Sequence, residues 1–384
     1  MRLRKKLLRL GMNGALFCTS LVLSLAVAEV AIRLVAPQQL ILIRPDIWTP
    51  RDTLGWGHRA DVDVLVNTGE RTVRMRTDVN GFRISATGRP ATSPRILLLG
   101  DSFMAAMQVE YEQSLAGLVE QCIPGASVWN TGVGGWDPPQ YLIQARQALD
   151  LTEFDLVLVS VFLGNDVVGG PIATIPPRQP VRRAEFRIPT SLATAELVDA
   201  LLAPVNDAME TRSQLFIFMK TRASGLLMRA GLSAVDIPSE LRRDEADSER
   251  WRATADILSE IATLADDRHI PALFMLIPAV QQVDPNVLAR HLSAFRIAPS
   301  LLDMDQPDRL VSRELDQKGL AFVSTTQPLR DALSQGTQPF GRIDTHLSPD
   351  GHRIVWQAVS NSVHDALGIE RRSRGGGDVQ CSGS

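Results

Sequence analysis

Three short stretches carry the residue types that acyl-transfer chemistry needs: Gly100-Asp101-Ser102, Gly164-Asn165-Asp166 and Asp344-Thr345-His346. Serine is inert at its free pKa and becomes a nucleophile only beside a base. Histidine suits that task near neutrality, and an acid behind it holds the useful tautomer. A fixed amide such as that of Asn165, together with backbone N–H groups, can hold a tetrahedral oxyanion; losing one such donor costs about 2.7–4 kcal/mol. Each stretch alone is weak, because a strand can end in any of them as an ordinary turn. Their order along the chain, and the strand expected before each, give them weight together.

The elements that must position these residues follow from hydrophobic pattern. From Arg95 onward, apolar runs alternate with amphipathic stretches. Strands are expected at RILLL (95–99), SVWN (127–130), 155–163, 270–277 and 320–325, and helices around Gln113–Cys122, 138–149, 251–267 and Pro349–Leu367. Such alternation predicts an α/β fold: a flavodoxin-like three-layer α/β/α sandwich with a five-stranded parallel sheet. Ligands bind such sheets at the carboxyl ends of the strands. Ser102 follows the first strand, NTGVGGWD the second, Gly164-Asn165-Asp166 the third, and DTHLSPDGH (344–352) precedes the last helix.

Topology then sorts the six histidines. His58 precedes the domain, His269 lies before a strand and so on the wrong edge, and His364 is inside the last helix. His352 falls in that helix's first turns and reads as a helix-start residue. Position does not exclude His291. His346 sits in a loop on the correct edge, two residues after Asp344. Ser348-Pro349-Asp350 then makes a strong helix start: a capping hydroxyl, proline at the first position and an acid near the positive end. Candidate oxyanion donors are the Ser102 N–H, a backbone N–H in the Gly134-Gly135 turn and the Asn165 side chain. Asp101 and Asp166 read as turn-stabilising acids. Trp136 is either a pocket wall or packing.

Around this unit the chain has other parts. MRLRKKLLRL is basic, and Leu10 to Ala28 carries no charge. About 20 apolar residues cross a bilayer, with the basic end in the cytoplasm. Residues 10–32 are therefore expected to be a transmembrane signal anchor after a cytoplasmic segment 1–9, placing the rest on the periplasmic or extracellular side. A signal peptide cleaved after Ala26-Val27-Ala28 and a buried N-terminal helix are the alternatives. Residues 33–94 read as a β-rich lead-in, with a hairpin turning around Asn67-Thr68-Gly69, a turn at Asn80-Gly81 and a connector ATGRPATSPR. The main domain spans 95–368. It carries an insertion at 167–250, with helical runs near 192–208 and 212–230, that is either a lid or a packed decoration. The tail 369–384 has no means of burying itself. A net charge of -3 and a pI near 6.1 give no case for nucleic acid. Three cysteines make no disulfide framework, and nothing in the sequence calls for zinc, another metal or a cofactor.

With GDS (100–102), the glycine of NTGVGG, GND (164–166) and the late DTH (344–346) in order, the chain resembles the SGNH hydrolase superfamily, the GDSL-like esterases, over roughly residues 95–367 minus the insertion. The resemblance implies Ser102 as nucleophile, His346 as base, Asp344 as its partner, and Ser102, Gly135 and Asn165 as oxyanion donors. Gly135 follows from the family's Asn-x-x-x-x-Gly spacing. The first block reads GDSF rather than GDSL, and the last is D-x-H rather than D-x-x-H. The membrane tether and a lead-in with LGW (54–56) and NGFR (80–83) are similar to exported members that act on acylated glycans. The expected function is a serine esterase acting on an O-acylated carbohydrate or small molecule. An O-acyltransferase of an exported polysaccharide and a non-catalytic glycan-binding envelope protein are the alternatives.

Overall fold

The computed structural model describes residues 2–36, 38, 46–68, 70–167, 209, 212–229, 239–243, 248–295, 297–342 and 344–369. At its centre is a five-stranded sheet of β5 (Arg95–Leu99), β6 (Ser127–Asn130), β7 (Leu156–Phe162), β8 (Ala272–Ile277) and β9 (Phe322–Ser324). Its order is β6-β5-β7-β8-β9 and every pairing is parallel. The doubly wound fold expected from the sequence is therefore present. The chain leaves β5 for β6 on one side and returns to β7 on the other, so the crevice between β5 and β7 is the topological switch point.

Alternate residues of the strands feed two cores. Leu97, Leu99, Val157 and Val159 face α4 (Pro138–Leu149), while Ile96, Leu98, Leu156 and Leu158 face α3 (Leu115–Cys122). Full burial of each such side chain is worth roughly 1.5–3 kcal/mol, which is why the strands are aliphatic on both faces. Later in the chain come α5 (Gln214–Arg229), α6 (Ser248–Asp266), α7 (Val280–Val283), α8 (Pro285–Phe295), α9 (Gln306–Gln317), α10 (Thr326–Ser334) and α11 (Pro349–Ala366). Trp251 of α6 is buried in the first core, and Trp356 of α11 in the second.

The lead-in consists of two antiparallel hairpins. One pairs β1 (Trp48–Arg51) with β2 (Gly55–His58), and the other pairs β3 (Asp63–Asn67) with β4 (Thr72–Arg76). Its side chains join the main core, where Leu54 and Trp56 are buried. The Asn80-Gly81 turn forms as expected, with Asp78 accepting from the backbone N–H groups of Asn80 and Phe82. The connector is held down: Arg89 pairs with Asp78 at 2.5 Å and lies 4.0 Å over the Trp129 ring.

The N-terminal helix α1 (Arg2–Val35) contains one stretch, Gly11–Val35, long and apolar enough to cross a membrane, and none of it is buried. Its C-terminal end touches the insertion. Glu29 accepts from the Ser213 hydroxyl and from the backbone N–H groups of Gln214 and Leu215, so it caps α5. Arg33 donates to the carbonyl of Arg212 at 2.7 Å. The helical run expected near 192–208 and nearly all of the tail lie outside the described residues. One expectation needs correcting. Cys122 is disulfide-bonded, whereas the sequence suggested no disulfide framework. Three cysteines scattered across 384 residues have no spacing from which a pair could be read.

Candidate active site

Ser102 opens a four-residue helix, α2 (Ser102–Ala105), directly after β5. Asp101 caps it, accepting from the N–H of Phe103 at 2.9 Å. Gly100 is required by close packing: a Cβ there would stand 2.6 Å from Met104 Cγ and 3.0 Å from Ser160 Cβ. The short helix can therefore press against the sheet and present Ser102, half-buried, at its edge. Asn130, at the end of β6, reaches back to donate to the carbonyl of Met104 at 2.8 Å.

His346 Nε2 stands 2.7 Å from Ser102 Oγ. Asp344 Oδ1 takes the other ring nitrogen, Nδ1, and also accepts the backbone N–H of His346 at 3.0 Å. That double grip is what the short D-x-H spacing makes possible: carboxylate, backbone and ring close one small loop. With Nδ1–H held by Asp344, Nε2 is left as the acceptor for the serine proton. Asp344 is buried. Burial alone would raise its pKa, but hydrogen bonding from the His346 ring, its charge and its N–H prevail, with a contribution from Gln108, and hold the carboxyl at about 2. The imidazole also packs on Phe103, ring centroids 4.8 Å apart. The last helix begins as its sequence predicted, with Ser348 accepting from Gly351 N and Pro349 at its first position.

The remaining histidines lie elsewhere. His352 is buried and accepts from Leu115 N. His291 is next to Gln281. His58 is buried in the lead-in, where desolvation and the charges of Arg83 and Arg51 lower its pKa to about 3.

The loop after β6 forms the other flank. Gly135 has φ +79°, a conformation that glycine adopts without strain. A Cβ at Gly134 would lie 3.6 Å from Ser102 Cβ, so this turn stands against the serine. Asn165 follows β7 on the same sheet edge with its side chain exposed; its backbone N–H bonds to Phe162 O. Asp166 beneath it is buried and accepts from Phe162 N and the Tyr141 hydroxyl. Desolvation, then the nearby Asp101, push its pKa well up, and desolvation raises Asp101 itself to about 6. Both acids act in the turns, as expected. Trp136 is packing rather than wall: it is buried and donates to Trp56 O at 3.0 Å.

No family model matches the chain, and no curated protein matches it. Among solved structures, it is similar to a member of the lipolytic G-D-S-L family from Veillonella parvula, at 9% identity with a TM-score of 0.37, covering 70% of this chain and 96% of that one. An acetylxylan esterase from Geobacillus stearothermophilus, solved as a catalytic variant, is 14% identical with a TM-score of 0.35, over 74% of this chain and 98% of that one. A GDSL-like lipase from Bacteroides thetaiotaomicron is 13% identical with a TM-score of 0.36, over 71% and 89%. These likenesses are remote, and the chemistry rests on the side chains present here.

Several supporting residues escaped the sequence reading. Gln108 donates to Asp344 Oδ2 at 3.3 Å, and Glu70 accepts the Asp344 N–H at 3.2 Å. Trp56 donates to Gly134 O at 2.9 Å. Arg83, fully buried, donates to the carbonyls of Ala105, Ala106 and Val109 behind the serine helix. Burial lowers its pKa to about 10, so it stays charged. Only LGW and NGFR hinted at this shell. Beside His346 and Asp344 lies a cavity of about 250 Å³, walled by the β3–β4 hairpin and the loop before α11. No described residue of the insertion lines it, which gives the lid reading no support there.

Proposed function

We propose that the chain is a serine esterase of the SGNH type, held at a membrane by α1, with residues 95–368 as its catalytic unit and the lead-in completing the site. One observation carries this reading: Ser102 Oγ within 2.7 Å of His346 Nε2, with Asp344 behind the imidazole. Ser102 attacks the ester carbonyl as His346 takes its proton. The new Oγ–C bond forms a tetrahedral centre, whose oxyanion is met by the N–H groups of Ser102 and Gly135 and the amide of Asn165. The C–O bond to the alcohol then breaks, and His346 hands that alcohol its proton. Water, deprotonated in turn by His346, attacks the acyl-enzyme, and the acid leaves as Ser102 recovers its proton. The polar lining of the cavity, including Thr68, Gln108 and Gln338, favours a hydrophilic alcohol such as a sugar. The domain's place outside the cytoplasm is supported by the basic end preceding the apolar span and by the disulfide at Cys122, since disulfides persist in oxidising compartments.

A fluorophosphonate probe tests the reading. Wild type should be labelled at Ser102 and should cleave acetylated oligosaccharides to free acetate, while Ser102→Ala does neither. A folded wild type that resists the probe would leave a glycan-binding protein instead. Acetate moved onto an added sugar in preference to water would make the enzyme an acyltransferase.

A further inference from the structure

Two arginines flank the cavity beside His346. Arg71 comes from the β3–β4 hairpin and Arg342 from the loop that leads to Asp344; both line the cavity and both are exposed. Neither guanidinium has a hydrogen-bond or ion-pair partner among the described residues. The acids nearby are engaged. Glu70 accepts the Asp344 N–H, Asp344 holds the His346 ring, and Asp350 pairs with Arg353 at 2.6 Å. The positive end of α11 opens onto the same wall through Ser348 and Pro349. Single exposed arginines are ordinary. Two that flank one concavity containing the base, with the neighbouring acids committed, form a receptor for a planar oxyanion, which a guanidinium grips through parallel N–H donors.

We propose that this cavity binds an acidic sugar residue on the alcohol side of the ester, its carboxylate held by Arg71 and Arg342. The inference rests on the esterase reading above and specifies its substrate. The cavity lies on the imidazole side, where the leaving alcohol must receive its proton. At about 250 Å³ it is smaller than the roughly 300–1,000 Å³ pockets that enclose drug-sized ligands, which suits one ring rather than an acyl chain. A phospholipid would need an apolar channel, and Phe340 and Leu347 supply only a short apolar patch.

The test compares an acetylated oligouronate with an acetylated neutral oligosaccharide of equal length, using the full chain in detergent. Wild type should prefer the acidic substrate, and added salt should erode the preference because exposed charges are screened. The Arg71→Gln, Arg342→Gln double variant should lower the acidic-to-neutral ratio of kcat/KM about tenfold, mainly through KM. Equal use of both substrates by wild type, or a ratio untouched in the variant, overturns the proposal. Binding to Ser102→Ala reads the site independently of turnover. Salt-sensitive binding of the deacetylated oligouronate, weakened in the triple variant, supports the site; equal binding of acidic and neutral oligosaccharides, or of neither, overturns it. Phosphatidylglycerol vesicles that bind through the two arginines while the oligouronate does not would overturn the sugar assignment. Failure of the esterase reading shows separately, as absence of fluorophosphonate labelling at Ser102.

Discussion

The α/β sheet and the lead-in of residues 46–94 serve one site by opposite means. The sheet presents reactive groups at strand ends: Ser102 after β5, Asn165 after β7. The lead-in presents none and instead grips the pieces from behind. Trp56 fixes the Gly134 carbonyl, Glu70 takes the Asp344 N–H, and Arg83 gathers three carbonyls at the end of the serine segment. Parallel strands deliver their loops to a common edge through topology alone. The orientation of those loops, to within the fraction of an ångström that proton transfer requires, comes from side chains far away in sequence. On the proposed reading, the lead-in is thus part of the catalytic scaffold rather than a spacer.

This contrast predicts different failures in the two regions. The largest effect belongs to the sheet edge. Ser102→Ala or His346→Ala should lower kcat by about 10³-fold or more with little change in thermal stability, because groups that act as one unit fail together. Ester hydrolysis and calorimetry, run side by side, check it. A variant that melted early would mean that Ser102 is needed for folding, and the division between the regions would fall. Next in size comes Arg83→Met. It leaves the carbonyls of Ala105, Ala106 and Val109 short of their donor, and a buried acceptor left without its partner costs about 1–3 kcal/mol. Unfolding in urea should show that loss, with activity falling as a consequence of instability.

The same contrast explains what could be read in the sequence. RILLL and the 156–162 strand announce themselves because a strand buried on both faces is a near-continuous apolar run. Ser348-Pro349-Asp350 marked the start of α11 because caps are local chemistry. The meeting of Ser102, Asp344 and His346 was legible because all three sit next to element boundaries. Helix α9, QPDRLVSRELDQ, was missed because only a narrow apolar stripe crosses a polar sequence. The β1–β2 hairpin was missed because WTPR and GWGH hold proline and glycine where a strand pattern needs β-branched residues. NGFR only hinted at Arg83, and Glu70 and Gln108 could not be read at all. Glu70 meets Asp344 across 274 residues, and no periodicity encodes such a meeting.

A smaller effect should follow at Glu70. Its carboxylate is the lead-in's contact with the acid–base loop, so Glu70→Ala leaves the Asp344 N–H without that acceptor. A hydrogen bond to a charged group is worth about 1.5–3 kcal/mol, and part of that should appear as a fall in kcat of about tenfold with KM little changed. Glu70→Gln keeps an acceptor and should recover most of the rate. Equal loss in both variants would mean that the charge of Glu70, rather than its grip, is what the loop needs.

The smallest effect is a pH slope, and it lies where the sheet domain is driest. His352 is fully buried, and desolvation, then the charges of Arg83 and His346, lower its pKa from 6.5 to about 3. The unfolded chain therefore takes up a proton below pH 6.5 that the folded protein refuses until about 3, so this histidine costs stability as the pH falls through that window. His58 acts in the same direction, while the raised carboxyl of Asp101, which binds its proton in the folded state up to about pH 6, acts in the opposite one. Comparing wild type with His352→Asn cancels both, since the asparagine oxygen can still accept the Leu115 N–H. Between pH 7 and 5.5 wild type should lose about 1 kcal/mol more stability than the variant. Parallel stability curves for the two proteins would show that His352 takes up its proton in the fold, and that the helix start is wetter than its packing implies.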